Sequence, residues 1–416
     1  MDTRPSSYYH RTPAKLINWW FAVAAAMGKS PLDLSESGLL AAARAETGLR
    51  RFGSEHFLQG LRILLRSLDE EAELNAFGRL NARKRILRPL KNRLWANECY
   101  ERNPEIKDIP IRMPIIIIGP HRSGTTRLQR MLALDSRLQH LKSWEGHNPA
   151  PRLGSRDKGR GERHREVEKF LAIGKRMYPD VFTAHPMNAD WAEEENLLLN
   201  LSFCGFSPIG LFNIPSYFRW FMQSDKTASY QDMANLMRLI SWSRESTQKR
   251  WILKNPNHLL ELPTLMRTFP DARIIFTHRD PIKTVGSIMS LMWHTSVQHS
   301  DLPSRARVRD VWGTYSEEAA RRFVRDRKEI PAHQMIDVQY SDMNQNWKKS
   351  IRRIYEFLEI DLTPNVERDM ESWLHESDVK GTHGRHHYSL EDFGTSEDEV
   401  DDMMSFVRRE FAIPRE

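Results

Sequence analysis

Residues 114–126 read Pro-Ile-Ile-Ile-Ile-Gly-Pro-His-Arg-Ser-Gly-Thr-Thr, and this order decides the fold class. Four consecutive β-branched residues between a proline and a glycine predict a strand buried on both faces, as in a parallel sheet. Gly119 to Gly124 form a turn, and Leu128, Met131 and Leu132 then recur at helical spacing. A strand, a glycine-bearing turn and a helix in this sequence direct free backbone N–H groups and the positive end of a helix dipole toward an anion.

Working outward, three more short apolar runs read as strands: residues 251–254 (WILK), 273–277 (RIIFT) and 335–339 (MIDVQ). Helical patterns separate them, so the expected class is α/β with a mostly parallel sheet. Upstream, Phe57, Leu58, Leu61, Leu64, Leu65 and Leu68 mark one face of a helix. A basic helical stretch over residues 81–95 follows, until Asn103-Pro104 breaks the pattern. The expected division is a helical N-terminal extension (1–104), an α/β domain (105–390) and a C-terminal helical tail (391–416). Residues 148–166, rich in Gly and Arg, read as an exposed mobile loop. The acidic stretch 391–402 reads as a solvated face or a short helix.

Composition narrows the function. Of 416 residues, 62 are Lys or Arg and 55 are Asp or Glu, a net charge of +7. That excess is mixed with acids over a large surface, which suits an anionic small ligand and argues against a nucleic-acid partner. Two cysteines, Cys99 and Cys204, exclude a disulfide scaffold and fit a reducing, cytoplasmic compartment. The apolar run 17–27 is too short to span a bilayer. It reads as a helix docked on the core, a peripheral membrane contact, or one wall of an apolar channel.

Gly119 and Gly124 have Walker A spacing, yet Thr125 stands where that loop requires Lys, and the cation is Arg122. The segment Pro120-His121-Arg122-Ser123-Gly124-Thr125-Thr126 resembles the 5′-phosphosulfate loop of sulfotransferases. That resemblance implies a P-loop-type Rossmann-like fold and transfer of a sulfuryl group from 3′-phosphoadenosine 5′-phosphosulfate to a hydroxyl of a small or lipid-like acceptor. It also implies that Arg122, Ser123, Gly124, Thr125 and Thr126 hold the 5′-phosphosulfate. The rival readings are a P-loop kinase or other nucleotide hydrolase, against which Thr125 counts, and a non-enzymatic nucleotide binder.

A second phosphate needs a second site. Arg279 follows the strand 273–277, with Ser287 eight residues later in the next helical segment. A guanidinium forks two hydrogen bonds to a phosphate and a hydroxyl adds a third, and the pair matches the family's 3′-phosphate motif. By the same resemblance Lys254, at a strand end, stabilises the leaving phosphate. Because cations meet the developing charge, no metal is expected. Two residues are candidates for the base that takes the acceptor proton. Glu145 is placed like the catalytic Glu of tyrosylprotein sulfotransferases and is preferred; His258, four residues after Lys254, is similar to the K-x-H base of cytosolic members. Residues 380–383 (KGTH) and 386–389 (HHYS) fall where the family closes over its nucleotide. Asp190 to Glu195 read as acids complementing a helix start or positioning the acceptor. Tyr217, Phe218, Trp220, Phe221 and Met222 read as core or as an acceptor pocket.

Overall fold

The central element is the strand anticipated from the isoleucine run, β1 (Ile115–Ile118), whose four side chains are wholly buried. The computed structural model describes residues 11–27, 32–379 and 388–416. In it β1 lies in the middle of a five-stranded parallel sheet of order β2-β3-β1-β4-β5, with β2 Leu138–His140, β3 Arg250–Lys254, β4 Arg273–His278 and β5 Met335–Gln339. Ile115 and Ile117 face Leu128, Met131, Ile252 and Ile275 on one side. Ile116 and Ile118 face the other side, with Leu253, Ile274 and Phe276. Both faces are covered, so the strand carries no polar alternation, and each buried isoleucine side chain contributes about 1.5–3 kcal/mol.

Before the sheet come α1 (Thr12–Ala26), α2 (Glu36–Thr47), α3 (Phe57–Glu70) and α4 (Ala76–Arg102). The predicted apolar face of α3 is observed: Phe57, Leu61, Leu64 and Leu68 are buried. They belong to the same core as Ile116 and Ile118, together with Ile86, Leu90 and Leu94 of α4. After β1 come α5 (Thr125–Leu132), α6 (Ser143–His147), α7 (Arg160–Met177) and α8 (Pro179–Ala184).

Two expectations need correction. The strand β2 escaped the sequence reading because it has three residues and a polar centre; Gln139 is buried and spends its amide on the Lys249 carbonyl (2.8 Å). The stretch read as a mobile loop over 148–166 instead contains the start of α7, launched from Gly159 in the left-handed region (φ 71°). Arg163, Val167 and Leu171 form its buried stripe, and Arg163 donates to the carbonyls of Asn148 (3.0 Å) and Pro149 (3.1 Å). A stripe that begins with arginine does not register as apolar periodicity.

The acidic tail forms the helix Glu397–Phe411, opened by a capping box of Ser396 and Glu399, with Val400, Met404 and Val407 buried. Residues 380–383 and 386–387 lie outside the described residues. Tyr388 is described, and its hydroxyl donates to the Lys283 carbonyl (3.1 Å). Among the described residues no helix is long and apolar enough to cross a membrane.

Candidate active site

The turn after β1 has the geometry of an anion cradle. Arg122 and Gly124 both take left-handed conformations (φ 70° and 87°), and Gly124 caps α5 without any side-chain hydrogen bond to the helix start. The first N–H groups of α5 therefore lack intrahelical partners. A Cβ on Gly124 would stand 2.9 Å from the Tyr340 ring, so glycine is required there by packing as well as by φ. Ser123 is turned inward, its hydroxyl 2.7 Å from both the Thr277 hydroxyl and the Pro120 carbonyl. The Arg122 guanidinium is held by the Ala184 carbonyl (2.9 Å) and the Ser287 hydroxyl (3.1 Å). Burial and then the neighbouring Arg279 lower its pKa.

Arg279 follows β4. Its guanidinium donates to the Arg122 carbonyl (2.8 Å), stacks 4.1 Å from the Tyr340 ring centre and pairs with Glu416 (3.1 Å). The C-terminal helix braces this corner through Arg408, which donates to Asp280 (2.8 Å). Ser287, in the helix Pro281–Ser296, reaches Arg122. The two halves of the expected nucleotide site are thus joined by hydrogen bonds from Arg122 to Ser287 and from Arg279 to Arg122.

Lys254 ends β3 and is 1% exposed. An ammonium so enclosed must be paired, and its partner is Glu194. Glu195 accepts the Lys254 N–H (2.8 Å) on one oxygen and His258 Nε2 (2.6 Å) on the other. A carboxylate only accepts, so Nε2 carries the proton, and Tyr230 Oη lies 2.7 Å from Nδ1. Backbone bonds from Ser143 to Trp191 (3.0 Å), Trp144 to Ala189 (2.9 Å) and Glu193 to Leu141 (2.9 Å) lash this acidic segment to the chain after β2. Burial would raise the Glu193 pKa, but His185, 3.9 Å away, and Lys254 outweigh it and hold the carboxyl well below its usual range.

These elements enclose one side of a cavity of about 1090 Å³. Arg122, Gly124, Thr125, Thr126, Arg279, Glu193 and Glu194 line it, as does His121, whose imidazole is pushed down to about 3 by burial and then by Lys254 and Arg122. Elsewhere the wall is largely apolar: Ile17 of α1, Phe77 and Leu80 of α4, Phe170 and Met177 of α7, and Leu291 and Met292. Lys254, Ser123 and Ser287 stand behind the wall.

Neither base candidate lines the cavity. Glu145 sits in the first turn of α6, accepts the Lys142 N–H (3.2 Å) and is gripped by Arg244, whose Nε is 2.7 Å from Oε1. His258 is fully enclosed, with both ring nitrogens engaged. Of the three glutamates that line the cavity, Glu166 lies on α7, while Glu193 and Glu194 lie in the segment read as acids at a helix start; the short helix Asn196–Leu199 does follow them. Their signal was a lysine at a buried strand end, which needs an acid from elsewhere in the chain. Tyr217, Phe218, Phe221 and Met222 belong to the core.

The family model described as "Sulfotransferase family" matches residues 114–364, more than half of the chain. Among solved structures the chain is similar to sulfotransferase STF1 from Mycobacterium tuberculosis H37Rv, with 28% identity, 89% of this chain and 98% of that chain covered, and a TM-score of 0.78. It shares its fold with sulfotransferase STF9 from Mycobacterium avium, with 22% identity, 92% and 98% coverage, and a TM-score of 0.78. No curated protein matches it in sequence.

Proposed function

The chain belongs to the sulfotransferase family, and on that premise we propose that it moves the sulfuryl group of 3′-phosphoadenosine 5′-phosphosulfate to a hydroxyl of an apolar, lipid-like acceptor. The observation that carries this reading is one cavity with Arg122, Gly124, Thr125, Thr126 and Arg279 among its lining residues and apolar side chains over much of the rest. Family membership sets aside the kinase and non-enzymatic readings.

In this reading the N–H groups of α5 and the Arg122 guanidinium hold the 5′-phosphosulfate, and Arg279 holds the 3′-phosphate in place of Glu416. Lys254 leaves Glu194 to meet the charge that grows on the bridging oxygen as the S–O bond lengthens. Glu194, relieved of its ion pair, takes the hydroxyl proton as the acceptor oxygen bonds to sulfur. The products are a sulfate monoester and 3′,5′-diphosphoadenosine. Glu195 and His258 position Lys254 from behind, and Glu145 holds the chain after β2 through Arg244. These assignments move the base from Glu145 and His258 to Glu194, because among the described carboxylates Glu194 combines a place on the cavity wall with an ion pair to Lys254.

The acceptor is drawn from a bilayer. Leu16, Trp19, Trp20 and Met27, in and just after α1, are each more than half exposed, while Pro13 and Ile17 of the same helix line the cavity. Exposed tryptophans on a short helix suit a lipid interface. The test is transfer of labelled sulfate from the donor to long-chain alcohols, sterols and short polar alcohols. Sulfation of the apolar series is expected; sulfation of the polar alcohols alone would refute the acceptor class.

A further inference from the structure

Two guanidiniums in the cavity wall have no role in the chemistry above. Arg85 and Arg88 of α4 both approach the ring of Phe170, at 5.5 and 4.3 Å from its centre. Arg85 donates to Asn81 (3.0 Å) and Arg88 comes within 3.5 Å of His147 Nδ1. Among the described residues no carboxylate forms an ion pair with either. Glu166, also on the wall, favours the Arg88 charge from a distance, but its Oε2 is taken by Arg152 (2.8 Å) and Asn148 (3.0 Å).

Two like charges beside one aromatic ring are unfavourable unless something negative joins them. Burial lowers both pKa values, that of Arg88 to about 10, with the charge of Arg85 adding to the fall. His147 gives no relief: burial, Arg88 and Arg85 push its imidazole down to about 3, so it stays neutral. The guanidinium fork matches the geometry of a carboxylate or phosphate, and cation–π contact with Phe170 holds Arg88 in place until one arrives.

We infer that Arg85 and Arg88 form a subsite for an oxyanion carried by the acceptor, which is therefore an anionic amphiphile with a sulfatable hydroxyl. This rests on the reading that the cavity takes the acceptor, and it is tested by binding alone, so its failure is separable from failure of sulfuryl transfer. The full chain is first saturated with 3′,5′-diphosphoadenosine, which fills the nucleotide phosphate sites. It is then titrated calorimetrically with octyl phosphate, octanoate and 1-octanol.

The expected result is that both anions bind about 10- to 100-fold more tightly than the alcohol, the scale of a charge-assisted hydrogen bond. Arg85→Gln with Arg88→Gln removes that preference while the diphosphate still binds, and Arg88→Lys alone keeps most of it. Equal binding of the three probes, binding of none, or a preference that survives the double substitution overturns the inference. A preference for octyl phosphate over octanoate assigns the subsite to phosphate; the reverse assigns it to carboxylate.

Discussion

Glu194→Gln changes one atom type, keeps the side-chain shape and removes both a proton acceptor and the counter-charge of Lys254. Two effects follow from the geometry. The first is kinetic: a lost general base lowers turnover by about 10²–10⁴-fold, or about 3–5 kcal/mol in the barrier. The second is thermodynamic. Lys254 is 1% exposed while the Glu194 side chain is 23% exposed, so the pair is buried at one end and wetted at the other. Breaking a buried pair from one side costs about 3–5 kcal/mol, and the wet end places this one at about 3. Glu145→Gln is the control. Glu145 is 3% exposed and tied to Arg244, so it should lose comparable stability with turnover largely intact. The assay is turnover at saturating donor, at a temperature where urea titration shows both variants folded, with an aliphatic alcohol and with a nitrophenol. The acidic nitrophenol should partly restore Glu194→Gln because less proton removal is needed. Wild-type turnover in Glu194→Gln with collapse in folded Glu145→Gln would refute the assignment and return the role to Glu145.

The other perturbations divide by region. Arg279→Ala should weaken 3′,5′-diphosphoadenosine by about 2–3 kcal/mol and 5′-AMP far less; measured by thermal shift in EDTA, equal losses would make Arg279 a scaffold residue. Trp19→Ser with Trp20→Ser should abolish flotation with vesicles of phosphatidylglycerol and leave sulfation of a water-soluble acceptor unchanged; undiminished flotation would release α1 from the membrane role, and a shift in oligomeric state would assign it to self-association. The depressed pKa values of His121 and His147, about 3, and of His140, about 4, lie below the unfolded value near 6.5. The unfolded chain binds the extra protons, so stability is complete above pH 6.5 and falls as pH drops toward 4. Each such histidine adds up to about 1.4 kcal/mol per pH unit. Urea unfolding between pH 7 and 4.5 should show this slope, and His147→Asn should make it shallower.

How much of this was legible in the sequence follows from the range of the interactions. β1, its turn and α5 are local: four isoleucines, two glycines and a helix start are consecutive residues, and the structure realises them as read. The placement of Arg279 just after β4 and of Ser287 in the next helix was equally legible, since a strand end and the helix after it are neighbours in the chain. The acidic segment was not. Glu194 and Lys254 are 60 residues apart, and nothing local distinguishes Glu194 from any acid before a helix. Glu145 shows the converse: its place in the chain suits a base, but Arg244, 99 residues away, grips its carboxylate. A spacing argument sees the distance along the chain to one motif and not the competing partner across the fold.

The same contrast bears on where specificity resides. Residues at the carboxyl ends of β1 and β4 supply the turn and Arg279, so the sheet fixes the end of the cavity proposed for the donor. Other parts of the wall come from Ile17, Phe77, Leu80, Arg85, Arg88, Phe170 and Met177, on α1, α4 and α7. Of these helices α4 is continuous with the α/β core: its Ile86, Leu90 and Leu94 bury into the same cluster as Ile116 and Ile118. A helix that packs one face against the sheet and turns the next toward the cavity can change its cavity residues while its core residues hold it in register. Arg85 and Arg88 stand one residue to either side of the buried pair Ile86 and Leu87, so charge reaches the cavity from positions bracketed by core anchors. Acceptor choice can therefore change on α4 and α7 without disturbing the donor end, which predicts that substitutions there alter the acceptor KM and leave diphosphate affinity where it was.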